Sequence, residues 1–317
     1  MKFLVILINK ILHIIGKILH KGSSLPGKIA LKLDKNILSK IKLPKDIVII
    51  TGSNGKTSTT EMVTNVLRKN GYNVGTNQEG SNQIEGVTTM ILDCCNFSGK
   101  VKKDVLVIES DERYLKYITK FIKPKYLIVN NLYRDQMTRN GHPEFIYDCI
   151  KEAIPEETHL ILNTDDPLSS LYGYKKDKVT YVGINRIETD SEENNSVYND
   201  TKYCPNCKHL LEYEFYHFSH IGSYKCTNCG HERKNPDFAI TKVNLNEGKI
   251  EVNNKYEINM KFKTIYNAYN ILFSFAVASL LGANEEKIAE ALDQYIIAND
   301  RVQTFDINGK KRNASNI

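Results

Sequence analysis

The sequence lacks a run of about 20 apolar residues, which a helix needs to cross a bilayer, and it lacks the cysteine pattern of a secreted disulfide scaffold. No small-residue cleavage site follows its apolar N-terminal stretch, so that stretch is not predicted to be a signal peptide. These absences predict a reduced, cytoplasmic protein. Three of its seven cysteines, Cys94, Cys95 and Cys149, are then ordinary thiols.

Acidic residues are nearly absent from residues 1–45, which contain ten lysines and one acid, Asp34. This segment holds more than the whole net charge of +6, so global nucleic-acid binding is not expected of the rest. Within residues 1–21, apolar side chains alternate with lysines, which predicts a basic amphipathic helix. The helix either lies on the inner face of an anionic membrane or packs on the protein or a partner, and the sequence leaves both open. A loop over 22–27 and a helix over 28–43 are predicted next.

A glycine-rich loop, Thr-Gly-Ser-Asn-Gly-Lys-Thr-Ser, follows a buried strand predicted over residues 47–50 and leads into a helix from Thr57. Backbone N–H groups and the dipole of a helix N-terminus make such a loop an anion site. Lys56 adds a charge for the β- and γ-phosphates, and the Thr57 hydroxyl suits Mg²⁺. The loop is shorter than the general G-x-x-x-x-G-K-S/T pattern, because its first glycine is Gly52.

Strand and helix patterns alternate with short loops after this point, which predicts an α/β fold with a mostly parallel sheet and helices on both faces. Ligands bind such sheets at the carboxyl ends of the strands. The predicted strands are 47–50, 72–75, 104–108, 126–129, 159–162 and 179–182, and the predicted helices are 57–69, 84–93, 111–121, 143–153 and 166–172.

Glu109 follows the buried strand 104–108, which brings its carboxylate to the same sheet edge as the glycine loop. A carboxylate there can hold Mg²⁺ directly or through water. The alternative is that it caps the next helix, although Asp111 is the better cap candidate. Similarly, the segment 163–167, Asn-Thr-Asp-Asp-Pro, is typical either of a functional motif or of an Asx turn that caps a helix, and the two interpretations are compatible.

Four cysteines occur as two Cys-x-x-Cys pairs at zinc-ribbon spacing. Four thiolates complete a tetrahedral shell, so a structural zinc ion is expected and catalytic zinc is not. The ligands are Cys204, Cys207, Cys226 and Cys229, within an inserted module at 203–233. The nearby histidines, His209, His217, His220 and His231, are therefore expected at the surface.

The last part of the chain predicts antiparallel strands within 238–260 and then an apolar helix over 265–278. Asn267 opens that helix, and its amide can pair bidentately with an adenine edge. The alternative role is a polar helix cap, which applies more strongly to Asn270.

Several motifs resemble those of the Mur ligase superfamily, which joins amines to carboxylates through an acyl phosphate. They are the short glycine loop, the Asn-Thr-Asp-Asp-Pro segment at 163–167, the N-A-x-N helix opening at Asn267, and Arg301 ahead of an aromatic residue. Asp300 stands where that family has glycine. The resemblance implies that Lys56, Glu109 and Arg301 act on the transferred phosphate, that Thr57 and Glu109 bind Mg²⁺, and that ATP contacts Ser53, Asn54, Gly55, Lys56, Thr57, Ser58, Asn267 and Arg301.

Asp135-Gln136 stands where most of the family has Asp-His, which resembles the MurT subfamily of lipid II isoglutaminyl synthases. That resemblance implies ATP-dependent amidation of the D-glutamate α-carboxylate in the stem peptide of lipid II. Ammonia would come from a GatD-type glutaminase subunit. Residues 46–300 would form the family's ATP-binding central domain, and residues 301–317 would begin a C-terminal domain that the sequence does not contain, so a truncated chain is expected.

Two alternatives remain. An amino-acid-adding Mur ligase or a folylpolyglutamate-type ligase shares the chemistry, but Gln136 and the cysteine module count against it. A nucleic-acid-binding NTPase would use the cysteine module and the basic arm, yet residues 203–234 mix acids and bases without an arginine track. No nucleic-acid partner is therefore expected.

Overall fold

In the computed structural model, the strand that precedes the glycine loop lies inside a nine-stranded sheet. The structure describes residues 1–19, 24–78, 81–133, 142–194, 196 and 201–296, together with the backbone of 302–307 and 310–315. Within these residues, no helix combines the length and the apolar character that crossing a membrane requires.

The large sheet has the strand order β11-β10-β9-β6-β5-β4-β1-β3-β2. Every neighbouring pair from β9 to β2 is parallel, whereas β9, β10 and β11 pair antiparallel. The strands are β1 Asp46–Thr51, β2 Val74–Thr76, β3 Val105–Glu109, β4 Tyr126–Val129, β5 His159–Asn163, β6 Val179–Ile184, β9 Phe238–Asn244, β10 Lys249–Val252 and β11 Tyr256–Asn259.

Two further strand pairs lie outside the large sheet. A hairpin of β7 (Glu212–Phe218) and β8 (Ile221–Lys225) carries the second half of the cysteine module, and β12 (Val302–Ile307) pairs with β13 (Lys310–Ser315). The α-helices are α1 Lys2–Ile18, α2 Ser24–Leu33, α3 Lys56–Lys69, α4 Ile84–Cys94, α5 Leu115–Thr119, α6 Pro143–Ala153, α7 Pro167–Ser170, α8 Ile265–Leu280 and α9 Glu285–Asp293.

Helices cover both faces of the sheet, as the run of buried apolar residues in β1 predicts. Alternate side chains of β1 enter separate cores. Val48 and Ile50 join the core that includes α3 and α8, while Ile47 and Ile49 join the core that includes α1, α2 and α4. The predicted α/β fold with a mostly parallel sheet is therefore confirmed.

β1 lies between β3 and β4, so the strand order reverses at its two sides. A crevice forms at the carboxyl ends of the strands at such a point, and ligands bind there in open α/β sheets. Ser110 donates its N–H to the oxygen of Ile50, and Asn130 donates its N–H to the oxygen of Thr51. The chain segments that leave β3 and β4 are thereby held beside the loop that leaves β1.

Two helix predictions were wrong. The predicted loop over 22–27 and helix over 28–43 are replaced by α2, which begins at Ser24 and ends at Leu33, and a short 3-10 helix over Ile37–Lys40. Asp34 ends α2, because its carboxylate accepts the N–H of Asn36 at 3.1 Å and pairs with Lys40. Pro26 is tolerated in the first turn of α2, because an N–H group at this position makes no hydrogen bond within the helix.

The helix predicted over 111–121 is only the single turn of α5 at Leu115–Thr119. Asp111 accepts the N–H of Arg113 at 3.0 Å, which forms a turn in place of the first helical residues. This turn brings Glu112, next to Asp111, into the crevice.

Candidate nucleotide-binding site and four-cysteine cluster

At two positions the glycine loop has a backbone conformation that favours glycine. Gly52 has φ +125° and Gly55 has φ +80°, both in the left-handed region. A Cβ at Gly55 would lie 2.3 Å from Oδ1 of Asn270, and one at Gly52 would lie 3.0 Å from the nitrogen of Asn130. The loop is therefore tight on both sides, and it ends directly at the N-terminus of α3.

Two asparagines after β4 hold this loop in place. Asn131 accepts the N–H of Asn54 at 2.9 Å, and its amide donates to the Asn54 oxygen at 3.2 Å. The amide of Asn130 donates to Oγ1 of Thr59 at 3.0 Å, and the Ser53 hydroxyl bonds to the backbone of Tyr133. The sequence analysis did not predict these contacts, although a pair of asparagines directly after a buried strand could have indicated them.

Lys56 points back over the loop. Its ammonium group donates to the oxygens of Gly52 at 2.6 Å and Ser53 at 3.1 Å, and it pairs with Oε1 of Glu112 at 2.8 Å. Burial raises the pKa of the Glu112 carboxyl, and the attraction of Lys56 opposes this shift without cancelling it. Glu112 was not singled out from the sequence, because the turn that directs it inward was predicted as helix.

Glu109 ends β3 and pairs in register with Ile50 of β1, so it lies at the sheet edge where the glycine loop begins. Asn77 exchanges two hydrogen bonds with its backbone, both at 2.9 Å, and the Asn82 amide donates to its Oε1 at 3.3 Å. Helix α5 has no side-chain cap, so helix capping does not explain Glu109. The carboxylates of Glu109 and Glu112 thus belong to the same crevice as Lys56.

Asn267 lies in the first turn of α8, and Thr264 is the residue that caps this helix. The Asn267 amide donates to the oxygen of Phe262 at 3.0 Å, and the residue is 5% exposed. Asn270 contacts the glycine loop, with Oδ1 3.2 Å from the hydroxyl of Thr59. The two asparagines of the N-A-x-N opening therefore differ in role: Asn270 supports the loop, while Asn267 stands one turn earlier.

These residues fit a nucleoside triphosphate with Mg²⁺. The two positive-φ glycines let the loop pack closely on Asn130 and Asn270, and the loop leads directly into the N-terminus of α3. Among the described residues, the hydroxyls of Thr57 and Ser58 have no hydrogen-bond partner, so they are available to a ligand. Hard oxygen ligands such as Thr57, Glu109 and Glu112 suit Mg²⁺.

The four cysteines of the two Cys-x-x-Cys pairs converge, and their sulfur atoms all lie within 4.8 Å of one another. Sγ of Cys204 is 3.6 Å from that of Cys229, and Sγ of Cys207 is 3.4 Å from that of Cys226. Tetrahedral zinc–thiolate geometry, with Zn–S of about 2.3 Å, places sulfurs about 3.8 Å apart. The cluster thus has the ligand type and the spacing of a structural zinc site.

The prediction that the neighbouring histidines lie at the surface was wrong for three of the four. The side chains of His217 and His220 are fully buried and His231 is 4% exposed. His217 bonds to Asp190 at 2.7 Å and to the oxygen of Ile184 at 3.1 Å. They are buried because the β7–β8 hairpin packs on the large sheet, which its sequence does not show.

An ion pair links the cysteine module to that sheet. Asp165 is fully buried and accepts hydrogen bonds from Arg233 Nε at 2.6 Å, from the N–H of Ile184 at 2.7 Å and from the hydroxyl of Tyr269 at 2.7 Å. Asp166 accepts the N–H of Leu168 at 3.0 Å as the cap of α7, so the predicted capping role is confirmed. Both aspartates therefore have structural duties.

Three residues of interest, Asp135, Gln136 and Arg301, lie outside the described residues. Of the predicted site, the structure brings together the loop residues 53–58, Glu109 and the N-terminal turn of α8, and separately the four cysteines. The proposed roles of these residues toward ATP, Mg²⁺ and zinc stay predictions.

Residues 50–228 match the model of the Mur ligase middle domain. The chain is 33% identical over 301 residues to subunit MurT of the glutamine-hydrolyzing lipid II isoglutaminyl synthase of Staphylococcus aureus strain COL. It is also 33% identical over 308 residues to the MurT subunit of Streptococcus pneumoniae strain R6. Each match covers 94% of this chain and 67% of the relative, so the chain spans about two thirds of their length.

Solved structures show the same fold. A pseudomurein peptide ligase type C from Methanothermus fervidus superposes with a TM-score of 0.68 at 25% identity, over 85% of this chain and 53% of that one. MurF from Acinetobacter baumannii superposes with a TM-score of 0.60 at 16% identity, over 89% of this chain and 53% of that one. The second likeness concerns the fold alone.

Proposed function

The chain belongs to the Mur ligase family, and from this premise we propose that it is the nucleotide-binding part of a MurT-type subunit that amidates lipid II in peptidoglycan synthesis. Its substrate would be the D-glutamate α-carboxylate of the stem peptide, and its product D-isoglutamine. The proposal also takes residues 46–300 as the central domain, 203–233 as an inserted zinc ribbon, 301–317 as the beginning of a further domain, and the cytoplasm as the location.

The reaction would proceed in two steps. The glutamate carboxylate attacks the γ-phosphorus of ATP, and the bond to ADP breaks, which leaves an acyl phosphate. Ammonia then attacks the acyl carbon and phosphate leaves with the C–O electrons, while the nitrogen loses a proton. Such phosphoryl transfer depends mostly on positioning and electrostatic stabilisation.

This chain would supply the positioning through the glycine loop. The N–H groups at the start of α3 and the ammonium of Lys56 face the place where phosphate charge develops. Thr57 and Glu109 would hold Mg²⁺, which neutralises phosphate charge when bound. Asn267 would read the adenine edge, and Arg301 would contact the transferred phosphate.

The observation that carries the proposal is the contact of Lys56 with Glu112 at the end of β1, at the switch point of the sheet, with Glu109 at the end of the neighbouring strand β3. The ammonia would come from a GatD-type glutaminase subunit, since no motif of this chain supplies a glutaminase nucleophile. The zinc ribbon would stabilise the fold.

The test uses the full-length chain with its glutaminase, ATP, glutamine and lipid II. Mass spectrometry should show a hydroxyl exchanged for an amino group, with ADP released. Lys56→Ala should abolish both, while Lys120→Ala, an exposed lysine elsewhere, should not. Retained ATP turnover in Lys56→Ala would refute the assignment of the loop.

The same assay separates the alternatives. Incorporation of free amino acids, with no use of glutamine, would indicate an amino-acid-adding or folylpolyglutamate-type ligase. Salt-dependent binding of single-stranded nucleic acid would favour the NTPase alternative, and its absence at low salt would exclude it.

A further inference from the structure

Helix α1 turns an apolar face toward solvent. Leu4, Ile11, Ile15 and Ile18 follow helical spacing and share one side, and they are 54%, 48%, 45% and 72% exposed. Ile14, at 59%, borders them. A helix on the surface of a globular protein normally places charged and polar residues on that side. Exposed apolar residues are ordinary when single, but a continuous stripe marks an interaction site.

The same helix is nevertheless anchored to the protein. Val5 and Ile6 are buried in the core shared with α4, and the Asn9 amide donates to the oxygen of Thr89 in α4 at 3.2 Å. Phe3 packs on Phe97, with ring centroids 5.2 Å apart. Packing on the protein and contact with a membrane, the two alternatives that the sequence leaves open for this helix, are thus compatible. One side of α1 packs on the protein, and the opposite side is apolar and is not covered by the described residues.

The charged residues of α1 and α2 are lysines, while Asp93 of the neighbouring α4 pairs with His13 of α1 at 3.2 Å. Asp34, the only acid in residues 1–45, is buried and paired with Lys40. Helix α2 lies beside α1, and both pack on α4, so their outward faces belong to one side of the molecule. Leu25, Lys28 and Lys32 share a face of α2 and are exposed.

We propose that the outward faces of α1 and α2 form a docking surface for an anionic lipid bilayer. The isoleucines would enter the headgroup and acyl boundary, and the lysines would contact lipid phosphates. A lipid surface is favoured over a protein because the lysines of α1 and α2 outnumber the nearby acids, and the acids Asp34 and Asp93 are already paired with Lys40 and His13. This excess of cations is complementary to a uniform layer of phosphates.

A cavity beside α1 includes Asn77, which contacts the backbone of Glu109 in the candidate site. This cavity of about 640 Å³ lies between α1, α4 and β2, and its lining also includes His13, Arg68 and Thr76. This step rests on the proposed function. A substrate held in the membrane would then approach the candidate site from the side of the molecule that carries α1 and α2.

Vesicle sedimentation of the full-length chain with its glutaminase tests the surface. Vesicles contain either phosphatidylcholine alone or equal parts of phosphatidylcholine and phosphatidylglycerol. Binding to the anionic vesicles is expected, and Ile14→Ser/Ile18→Ser should weaken it by about tenfold or more, because two apolar side chains no longer enter the interface. The control Phe145→Ser/Leu210→Ser changes two exposed apolar residues elsewhere and should leave binding unchanged.

The charge component has its own pair of variants. Lys28→Glu/Lys32→Glu should weaken binding to anionic vesicles about tenfold or more and should reduce its dependence on salt. Lys120→Glu/Lys287→Glu, with the same change in net charge away from α1 and α2, should have a smaller effect. An equal loss of vesicle binding in the two double variants would overturn the assignment of lipid binding to this surface.

Absence of vesicle binding, or binding unaffected by Ile14→Ser/Ile18→Ser, would overturn the proposal. So would a change in the size of the complex on gel filtration for that variant alone, since the stripe would then contact protein. Lipid II dispersed in detergent, without vesicles, distinguishes this result from failure of the proposed function. Wild type and Ile14→Ser/Ile18→Ser should amidate it equally, whereas no amidation by wild type would refute the function and leave vesicle binding as observed.

Discussion

The ammonium group of Lys56 lies 2.8 Å from Oε1 of Glu112, and the two side chains are 16% and 4% exposed. The cation expected to meet phosphate is thus already held by a buried carboxylate and two carbonyl oxygens of its own loop. A phosphate that enters the loop must compete with these partners. This pair therefore connects the stability of the loop to the binding of nucleotide.

Removal of Lys56 should destabilise the protein through Glu112. Loss of one partner of a buried ion pair leaves an uncompensated charge, so Lys56→Ala is expected to lower the free energy of unfolding by about 3 kcal/mol. Lys56→Ala/Glu112→Gln should recover most of this loss without restoring ATP turnover. Urea unfolding of the wild type, Lys56→Ala, Glu112→Gln and the double variant at neutral pH measures the coupling between the two residues, and additive effects would contradict it.

The Glu112 carboxyl should also make stability depend on pH. Burial raises its pKa above the ordinary value of 4.5, so the folded state holds this proton more tightly than the unfolded state. Its stabilising contribution is complete below the ordinary pKa and is lost as the pH rises through the folded pKa. The free energy of unfolding of wild type should therefore decrease relative to Glu112→Gln as the pH rises above about 4.5, which chemical denaturation can measure. A difference that does not change with pH would exclude this mechanism.

The purified protein should contain one zinc ion per chain, bound by the four-cysteine cluster. Cys229→Ser should reduce zinc affinity more than about 100-fold and lower the melting temperature, because one ligand of a closed tetrahedral site is lost. Cys149→Ser is the matched control outside the cluster and should retain the metal. Elemental analysis with differential scanning calorimetry before and after chelation measures both, and equal zinc content in the two variants would contradict the assignment.

The ion pair of Asp165 and Arg233 should contribute to stability more than an exposed pair does. Arg233→Ala leaves a fully buried carboxylate without its cation, with an expected loss of about 3 kcal/mol in the free energy of unfolding. Arg186→Ala breaks an exposed pair with Glu192 and should cost less than about 1 kcal/mol. Urea unfolding measures the free energy of unfolding of both variants. Equal losses of this free energy would show that burial does not determine the strength of the Asp165–Arg233 ion pair.

Asn267 should affect the nucleotide, and Asn267→Ala also removes the hydrogen bond from its amide to the oxygen of Phe262. Loss of a bidentate amide contact to adenine is worth about 1–3 kcal/mol, so Asn267→Ala should raise the KM for ATP by about tenfold or more and reduce discrimination against GTP. Asn270→Ala removes the contact to Thr59 and should also lower stability. Steady-state kinetics with both nucleotides is the measurement, and unchanged discrimination in Asn267→Ala would remove its role as base reader.

Local sequence patterns determined the features that depend on neighbouring residues. The β-branched run 47–50 followed by the glycine loop predicts β1, the loop and α3, and the alternation of strands and helices predicts the parallel sheet. The cysteine spacing predicts the cluster, because each Cys-x-x-Cys turn presents its two sulfurs together. These patterns act over a few residues, so the sequence alone contains them.

The tertiary structure decided what depends on contacts between distant segments. Glu112 reaches Lys56 only because a turn at Asp111 replaces a predicted helix, and Asn130, Asn131 and Asn270 meet the glycine loop from two other elements. His217 is buried only because the β7–β8 hairpin packs on the sheet. The outward apolar face of α1 likewise follows from which side of the helix α4 covers. Periodicity shows that a helix has an apolar side, but the direction of that side is set by packing free energy summed over residues far apart in the chain.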